Sequence, residues 1–330
     1  MSGTRQSALI RGKLYIAGHR GLVGSALVRR LESELPDIVT RNHAELDLTD
    51  AQAVTGFFAR ERPRTVLLAA AKVGGILANR DFPGDFIREN LAIELSVLEA
   101  ARCHGVERLL FMGSSCIYPR DCPQPMREEY LLTGPLESTN RAYAVAKISG
   151  VEMCAAYNRQ YGTDFLAVMP TNLYGQGDNY DPNNSHVLPG LIQRFHQAKR
   201  DGAATVEAWG TGRPRREFLL SDDLADACTF LLALPDEIFK ALAHREQPLV
   251  NIGTGEDLSI AQLTELVKEI VGYTGQVIWD TSKPDGTPRK LLDVSRLTAL
   301  GWTAKTSLAL GIARTYEDFL VRYGGRQPSP

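Results

Sequence analysis

Residues 13–24 of this 330-residue chain, KLYIAGHRGLVG, decide the fold. Lys13–Ala17 is predicted to form a short buried strand, since residues 14–17 are apolar, and Gly18, Gly21 and Gly24 follow it. From Leu22 to Leu35 apolar residues recur at helical spacing. A strand, a glycine turn and a helix in this order let the backbone approach a pyrophosphate, which then lies at the positive end of the helix. The stretch therefore predicts a dinucleotide-binding site.

The elements after this unit alternate between helix and strand. Further strands are predicted at Ile38–Thr40, Thr65–Ala71, Arg108–Met112 and Asp164–Met169. Helices are predicted at about 50–60, 84–104, 142–161 and 187–199. This alternation predicts an α/β fold of the Rossmann type, with a doubly wound parallel sheet and right-handed crossovers.

The character of the chain changes after Pro170, where Asn, Gly, Pro and Asp crowd together. We therefore predict two domains. The dinucleotide-binding domain comprises residues 12–170, and residues 218–234 and 249–253 return to it. Residues 171–217 and 254–325 are predicted to form a smaller C-terminal α/β domain that binds the substrate.

Composition narrows the class of protein. With 44% hydrophobic and 23% charged residues the chain is ordinary for a soluble globular protein, and its net charge of −2 argues against a general nucleic-acid binder. No apolar stretch is long enough for a signal peptide or a membrane span. The five cysteines are scattered without a C-x-x-C pair, so neither a disulfide framework nor a metal site is expected. A reducing cytoplasm fits best.

The region after the second strand indicates which dinucleotide binds. NAD-preferring folds usually place an acid there to hold the ribose 2′-hydroxyl, but residues 39–43 read VTRNH. Arg20 and Arg41 are candidates to pair with a 2′-phosphate, because guanidinium geometry suits phosphate. NADP(H) is therefore favoured over NAD; the alternative is that Arg41 is a solvated loop charge. Asp47 and Leu48 would lie near the adenine.

A tyrosine and a lysine four residues apart mark the reaction centre. Tyr143 and Lys147 fall in the helix predicted at 142–161, where this spacing places them on one face. The charge of Lys147 can lower the pKa of the Tyr143 phenol, and its ammonium can bind the nicotinamide ribose. Ser114, just after the strand Arg108–Met112, can polarise the same carbonyl as Tyr143. Behind a dinucleotide fingerprint, this set predicts a nicotinamide oxidoreductase.

These features resemble the extended short-chain dehydrogenase/reductase family of nucleotide-sugar enzymes. Besides the residues named above, the likeness rests on the strings AGHRGLVGSA, LAAAKVGGI, MGSSCIYP, MPTNLYG, NSHV, WGTG, REF and SKPDGTPRKLLDVSRL, which span nearly the whole chain. Within the family, the chain is similar to epimerase-reductases of GDP-bound keto-sugars. The resemblance implies that the substrate is GDP-4-keto-6-deoxy-D-mannose, epimerised at C3 and C5 and then reduced at C4 with NADPH.

Epimerisation needs a base on one face of the sugar and an acid on the other, which Tyr143 and Lys147 alone cannot supply. By the resemblance Cys116 is the base, as a thiolate if positive charge lowers its pKa, and His186 is the acid. The alternatives are a small buried hydrophobe for Cys116 and a loop hydrogen-bonder for His186. Cys122 is given no role. Three other cysteines are interpreted as buried hydrophobes: Cys103, Cys154 and Cys228.

The resemblance also implies the remaining binding residues and a homodimer, in which the two long helices pair across a twofold axis. Those for the cofactor are Gly18, His19, Arg20, Gly21, Leu22, Val23, Gly24, Arg41, Asp47, Leu48, Ala70, Lys147, Pro170, Asn172, Leu173 and His186. Those for the substrate are Ser115, Asn172, Arg194, Trp209, Arg216, Lys283 and Asp285. Arg194 and Arg216 would contact the diphosphate; the alternative makes Trp209 a core residue and Arg216 a surface charge. Asn90 is expected to brace the backbone of the active site.

Two other functions are weighed. The first is another family member, either a simple nucleotide-sugar C4 epimerase or a 4,6-dehydratase, which would retain an oxidised cofactor because it regenerates its own nicotinamide. A dehydratase usually has an acid pair just after the serine, where this chain has Cys116 and Ile117. The second is a redox-sensing NADP-binding regulator, which the fold alone would allow. An intact tyrosine, lysine and serine set argues against a regulator.

Overall fold

The computed structural model describes residue 10 and residues 12–181, 185–283 and 285–324. Asn184 of the string NSHV, Pro284 of the later loop, and position 325 at the end of the second predicted domain lie outside the described residues. Over the described ranges, no helix is both long and apolar enough to cross a membrane. Nor do these ranges contain a cluster of His, Cys, Asp and Glu suited to a metal ion.

The strands and helices are numbered in chain order. The strands are β1 (Leu14–Ala17), β2 (Ile38–Val39), β3 (Thr65–Leu68), β4 (Arg108–Met112), β5 (Phe165–Pro170), β6 (Asn172–Tyr174), β7 (Thr205–Trp209), β8 (Arg215–Arg216), β9 (Phe218–Leu220), β10 (Leu249–Ile252), β11 (Leu258–Ser259), β12 (Gln276–Asp280) and β13 (Arg289–Lys290). The helices are α1 (Leu22–Leu31), α2 (Ala51–Glu61), α3 (Ile76–Asp81), α4 (Pro83–Cys103), α5 (Arg141–Tyr161), α6 (Val187–Asp201), α7 (Ser221–Leu232), α8 (Asp236–Ala243), α9 (Ile260–Val271), α10 (Ser295–Ala299) and α11 (Leu308–Tyr323).

A six-stranded sheet forms the centre of the molecule. Its strand order is β10-β5-β4-β3-β1-β2, and every neighbouring pair is parallel. The chain passes from β1 outward to β2 and then returns to β3 on the other side of β1. The strand order therefore reverses between β1 and β3, and a crevice at the carboxyl ends of the strands is expected at such a point.

Helices cover both faces of this sheet, which confirms the predicted doubly wound α/β fold. On one face α2, α4 and α5 pack around residues such as Phe57 and Val97. On the other face α1, α7, α8 and α10 pack around residues such as Leu27 and Leu231. Strands buried on both faces show continuous apolar runs in the sequence, which is the pattern that predicted them.

The smaller part of the molecule has its own core, in which α6, α9 and α11 pack together around Phe195 and Phe319. Its short strands pair as β7 with β12, as β6 with β9, and as β8 between β11 and β13. The strand Phe218–Leu220 was predicted to return to the main sheet, and this is wrong. It pairs instead with β6, where the side chains of Thr171 and Asn172 bind the Glu217 carbonyl just before it. Residues 249–252 do join the main sheet, and α7 packs on it beside α1.

Three further predictions need correction. The first helix ends at Leu31 rather than at Leu35, because a residue that precedes a proline, here Pro36, is disfavoured in a helix. β3 ends at Leu68 rather than at Ala71, because the backbone at Ala70 lies against Gly18 of the glycine turn. Cys103 is exposed rather than buried, since it lies in the last turn of α4 next to the surface pair of Glu99 and Arg102.

Two glycines allow β1, β3 and α1 to meet. A Cβ atom on Gly24 would lie 2.1 Å from the carbonyl oxygen of Gly18. Gly18 has a φ of +85°, and a Cβ atom there would lie 2.7 Å from the backbone of Ala70. Because real Cβ atoms do not come this close to backbone atoms, no side chain fits at either position.

We expect Gly24→Ala to lower the free energy of unfolding by about 1–3 kcal/mol, because the added methyl group overpacks a contact with backbone. Chemical denaturation measures this change. Gly56→Ala in α2 is the matched control, since its methyl group meets only the mobile end of Arg60, at 3.3 Å. That variant should gain roughly 0.5–1 kcal/mol from helix propensity. Equal effects of the two substitutions would contradict the packing described here.

Candidate active site

The glycine turn lies at the carboxyl ends of β1 and β3, where the strand order reverses. The Gly21 N–H donates to the Gly18 carbonyl at 3.0 Å, and α1 begins at Leu22. Within the described chain no side chain caps the start of α1. Its first N–H groups are therefore available to an anion, which the positive end of the helix also attracts. The structure thus brings Gly18–Gly24 together with Ala70, as the sequence predicts for the cofactor site.

The two arginines predicted for a 2′-phosphate differ in their surroundings. Arg41 donates to Glu61 Oε1 and to the Thr40 carbonyl, each at 2.7 Å, and its guanidinium lies 5.4 Å from the centroid of the Phe57 ring. A phosphate would have to compete with Glu61 for this group. Arg20 lies exposed in the glycine turn and makes no ion pair with any described residue. Arg20 is therefore the more available of the two cations.

Asp47 and Leu48, predicted to lie near the adenine, form a turn between β2 and α2. Asp47 Oδ1 accepts from the Thr49 N–H at 2.9 Å and from its hydroxyl at 2.8 Å, and these bonds lower the pKa of Asp47. The Leu48 carbonyl accepts from the Ser96 hydroxyl on α4. The turn is therefore fixed to α4, with a charged carboxylate at its partly exposed edge.

Ser114 and Cys116 share the turn that follows β4. Ser114 begins a one-turn 3₁₀ helix, Ser115–Ile117, and the Cys116 N–H donates to Ser114 Oγ at 3.4 Å. Cys116 is only 6% exposed. Burial raises the pKa of its thiol, although the Ser114 hydrogen bond and the charges of Lys290 and Lys147 act in the opposite direction. The condition for a thiolate base, a pKa lowered by positive charge, is therefore not met in this arrangement, because burial outweighs the charges.

Tyr143 and Lys147 lie on one face of α5, as predicted, but Lys147 does not act on the phenol as expected. Its Nζ lies 3.2 Å from Glu94 Oε1, so the carboxylate offsets its charge. Burial raises the pKa of Tyr143, and the nearby Cys116 and Glu94 add to that effect. The predicted lowering of this pKa by Lys147 is thus wrong here. The ring of Tyr143 packs edge-on against Phe86, 6.4 Å between centroids, which fixes the phenol in place.

His186 lies at the start of α6, in the smaller part of the molecule. Its backbone is extended and precedes Val187, the first residue of the helix. The residue is accessible, yet the protein atoms around the ring displace enough water to lower the pKa of the imidazole. At pH 7 the ring is therefore neutral and must take up a proton before it can serve as the predicted acid.

Trp209 lies at the surface and is not a core residue, since 52% of it is exposed. The guanidinium of Arg194 lies 5.5 Å from the centroid of its ring, and Lys283 Nζ lies 5.7 Å from it. An open cleft of about 400 Å³ lies beside these groups, lined among others by Gln193, Gln197 and Glu207. A flat ring with two cations and neighbouring polar side chains can take up a nucleotide base and its phosphates.

The predicted loop around Asp285 closes onto the WGTG turn. The Asp285 carboxylate accepts from the N–H and from the hydroxyl of Thr211, both at 2.7 Å. Arg216 is half-buried on β8 next to this contact, and burial lowers its pKa. A half-buried guanidinium is not the surface charge of the alternative interpretation. The structure therefore brings Arg194, Trp209, Arg216 and Lys283 to one side of the molecule.

Asn172, predicted to border the sugar or the nicotinamide, also has a structural task. Its side-chain amide donates to the Glu217 carbonyl at 2.7 Å, and this bond ties the start of β6 to β9. Pro170 ends β5 just before it, and Leu173 packs against the core. Asn90 is buried and bonds both the N–H and the carbonyl of Lys72, which is the bracing role expected for it.

Two residues in this region escaped prediction. Glu217 is fully buried, and its carboxylate accepts backbone N–H groups from Thr254 (2.7 Å), Gly255 (2.8 Å) and Leu292 (3.0 Å). The string REF was noted in the sequence, but the role predicted from it was that of Arg216, the residue before Glu217. Glu94 carries no sequence signal, because an acid in a long amphipathic helix is normally solvent-exposed.

The chain matches the NAD dependent epimerase/dehydratase family over residues 14–253. It is 55% identical over 309 residues to GDP-L-fucose synthase 1 of Arabidopsis thaliana, covering 93% of each chain. It is 52% identical over 312 residues to GDP-L-fucose synthase of Escherichia coli (strain K12), covering 93% of this chain and 96% of the relative. A solved structure of MlghC, a GDP-mannoheptose C4 reductase from Campylobacter jejuni with NADP bound, superimposes with a TM-score of 0.85 at 38% identity, over 93% of this chain and 98% of that one. The chain therefore belongs to the NAD dependent epimerase/dehydratase family, in agreement with the resemblance predicted from its sequence.

Proposed function

We propose that this protein converts GDP-4-keto-6-deoxy-D-mannose to GDP-L-fucose by epimerisation at C3 and C5 and NADPH-dependent reduction at C4. The observation that carries the proposal is that a buried cysteine shares a turn with the serine proposed to polarise the C4 carbonyl. The backbone N–H of Cys116 donates to Ser114 Oγ, and the Cys116 side chain is buried. High identity to two GDP-L-fucose synthases over nearly their whole lengths supports the same reaction.

The residues at the edge of the sheet suit NADPH, which supplies the hydride when bound. The glycine turn leaves space for a pyrophosphate against backbone, and the uncapped start of α1 favours its negative charge. Arg20 is available for the 2′-phosphate that distinguishes NADP from NAD. The NADP in the solved reductase structure, a relative at 38% identity, supports this choice.

In the epimerisation steps the protein must remove and return protons next to the C4 ketone. The hydroxyl groups of Ser114 and Tyr143 would donate to O4, so that the charge that develops there is stabilised. Cys116 would remove the proton, and His186 would supply one from the opposite face. Both side chains are neutral at pH 7 in this arrangement, so Cys116 must first lose its proton. Transfer of that proton to the neutral His186 would produce a thiolate and an imidazolium together.

In the reduction step Tyr143 would donate its phenolic proton to O4 as the hydride reaches C4. Its raised pKa keeps the phenol protonated across the neutral range, so the proton that it would donate is present. Lys147 would hold the nicotinamide ribose from the same face of α5. Arg194 and Arg216 would bind the diphosphate, and Trp209, which lies beside Arg194, would bind the guanine.

A second candidate function is C4 reduction of a GDP-sugar without epimerisation. The likeness to the GDP-mannoheptose C4 reductase favours it, since that protein shares the fold over nearly the whole chain. The two functions differ in whether the hydrogens at C3 and C5 exchange with water.

We further propose a homodimer that works in the cytoplasm. Leu95 on α4 is 56% exposed, and Tyr161 at the end of α5 is 48% exposed. Apolar residues exposed on the two long helices are compatible with the predicted pairing of these helices across a twofold axis.

Cys116→Ser should slow the exchange of sugar hydrogens with deuterated water, measured in the absence of NADPH, by at least about 10²-fold. A hydroxyl is a far weaker acid than a thiol, so it is rarely deprotonated to act as the base. Mass spectrometry of the recovered keto-sugar measures this exchange. Cys122→Ser, six residues further along, is the control and should exchange like the wild type. Exchange retained by Cys116→Ser would remove Cys116 from the mechanism.

Tyr143→Phe should slow the oxidation of NADPH by the keto-sugar by about 10²–10⁴-fold, the usual loss when a general acid is removed. NADPH affinity, followed by fluorescence, should change only a few-fold. Tyr157→Phe on the same helix is the control, because its hydroxyl bonds Glu99 and not the reaction centre. A Tyr143→Phe variant that reduces at the wild-type rate would rule out this proton donor.

Arg216→Gln should raise the KM for the GDP-sugar by ~10–100-fold, since a charge-assisted hydrogen bond contributes about 1.5–3 kcal/mol. The rate at saturating substrate should change much less, because the diphosphate takes no part in the chemistry. Steady-state kinetics separates the two effects. Arg200→Gln, at the exposed end of α6, is the control for loss of charge. An unchanged KM in Arg216→Gln would place the diphosphate elsewhere.

A further inference from the structure

The helices α4 and α5 bury a carboxylate and an ammonium against each other. Glu94 and Lys147 are each only 1% exposed, and Glu94 Oε1 lies 3.2 Å from Lys147 Nζ. A charge removed from water is costly unless an opposite charge compensates it. Lys147 can therefore remain an ammonium at this depth because α4 presents Glu94 to it.

The carboxylate of Glu94 has Lys147 as its partner in this buried region. Across the described residues, neither oxygen of Glu94 accepts a hydrogen bond of good geometry. On the other side, Lys147 Nζ lies 4.7 Å from the centroid of the Phe111 ring and 5.8 Å from that of Tyr143. Aromatic faces attract a cation but do not neutralise it, so Glu94 balances its charge.

A glycine one turn after Lys147 keeps the space for this pair open. A Cβ atom on Gly150 would lie 2.3 Å from the ring of Phe111 and 3.1 Å from Glu94 Oε2. Any side chain at this position would have to displace the ring or the carboxylate. The close contact of Gly150, Phe111 and Glu94 therefore fixes where the carboxylate lies.

Three other titratable groups face the pair. Tyr143 and Cys154 lie on α5, and Cys116 lies in the turn after β4. Burial raises the pKa of Tyr143 and of Cys154, and the negative charge of Glu94 adds to both effects. Burial also raises the pKa of Glu94 itself, to about 7, against the opposing effect of Lys147. Lys147 acts in the opposite sense on Cys116.

We propose that Glu94 is a positioning residue of the reaction centre, which holds the Lys147 ammonium beside Tyr143 and supplies its counter-charge. Glu94 acts through Lys147 and does not itself reach the sugar. The inference rests on the proposed function, because only a nicotinamide reaction gives Lys147 its task on the ribose.

The test is Glu94→Gln, which keeps the size of the side chain and removes its charge. Loss of the carboxylate removes the counter-charge of Lys147 and lowers the pKa of Tyr143, which loses a nearby negative charge. The lowered pKa of Tyr143 moves the alkaline limb of the kcat profile to lower pH. We expect a shift of about one pH unit or more, the usual size of the effect of a nearby charge in a buried site. NADPH affinity, measured by fluorescence, should weaken, because the ammonium of Lys147 is no longer held in place.

Glu99→Gln on the same helix is the matched control, since Glu99 pairs with Arg102 and Tyr157 at the surface. It should leave the alkaline limb and the NADPH affinity unchanged. Glu94→Asp keeps the charge and moves it by one methylene group, so it should lower kcat while the limb stays in place. This variant also serves if Glu94→Gln fails to fold, as circular dichroism would reveal.

A Glu94→Gln variant that folds and keeps both the wild-type limb and the wild-type NADPH affinity would overturn the inference, as would a Glu94→Asp variant with an unchanged kcat. A wild-type protein that oxidises no NADPH with the keto-sugar would instead refute the proposed function. The fluorescence titration needs no sugar, so it tests Glu94 in either case.

Discussion

The buried carboxylate of Glu217 holds the two halves of the site in register. It accepts N–H groups from the segment just after β10 and from the segment just after β13, which are far apart in the sequence. Its own carbonyl ties β6 to β9 through the side chain of Asn172. The carboxyl edge of the central sheet is thereby joined to Arg216, the adjacent residue. This contact therefore helps to fix the position of Arg216 relative to the carboxyl edge of the central sheet.

A second constraint acts at the other end of the crevice, where Gly18 and Gly24 let β1, β3 and α1 meet without side chains. The proposed reaction centre lies between the two ends. It is more deeply buried than a tyrosine and lysine pair alone suggests, and a carboxylate offsets the positive charge of the lysine. Burial raises the pKa of Cys116 and of Tyr143, and Glu94 offsets Lys147. The centre therefore keeps Cys116 and Tyr143 protonated near pH 7. A reductase benefits directly from this state, whereas an epimerase must deprotonate its cysteine during the cycle.

The parts of the site that depend on local pattern could be predicted from the sequence. The strand, glycine turn and helix of residues 13–24 and the Tyr143 and Lys147 face both have local signatures. What could not be predicted depends on distant partners. The Arg41 pair with Glu61, the pairing of Phe218–Leu220 with β6, and the burial of Glu94 arise from tertiary packing. Periodicity also cannot distinguish the exposed Cys103 from a buried cysteine, because both fit the end of an amphipathic helix.

The central claim is that one centre exchanges the hydrogens at C3 and C5 and then reduces C4. NMR of the product that the wild-type protein forms from GDP-4-keto-6-deoxy-D-mannose and NADPH in deuterated water tests it most directly. We predict GDP-L-fucose that carries deuterium at C3 and C5 and protium from the cofactor at C4. A C4-reduced sugar without deuterium at C3 and C5 would contradict the claim and identify a simple reductase.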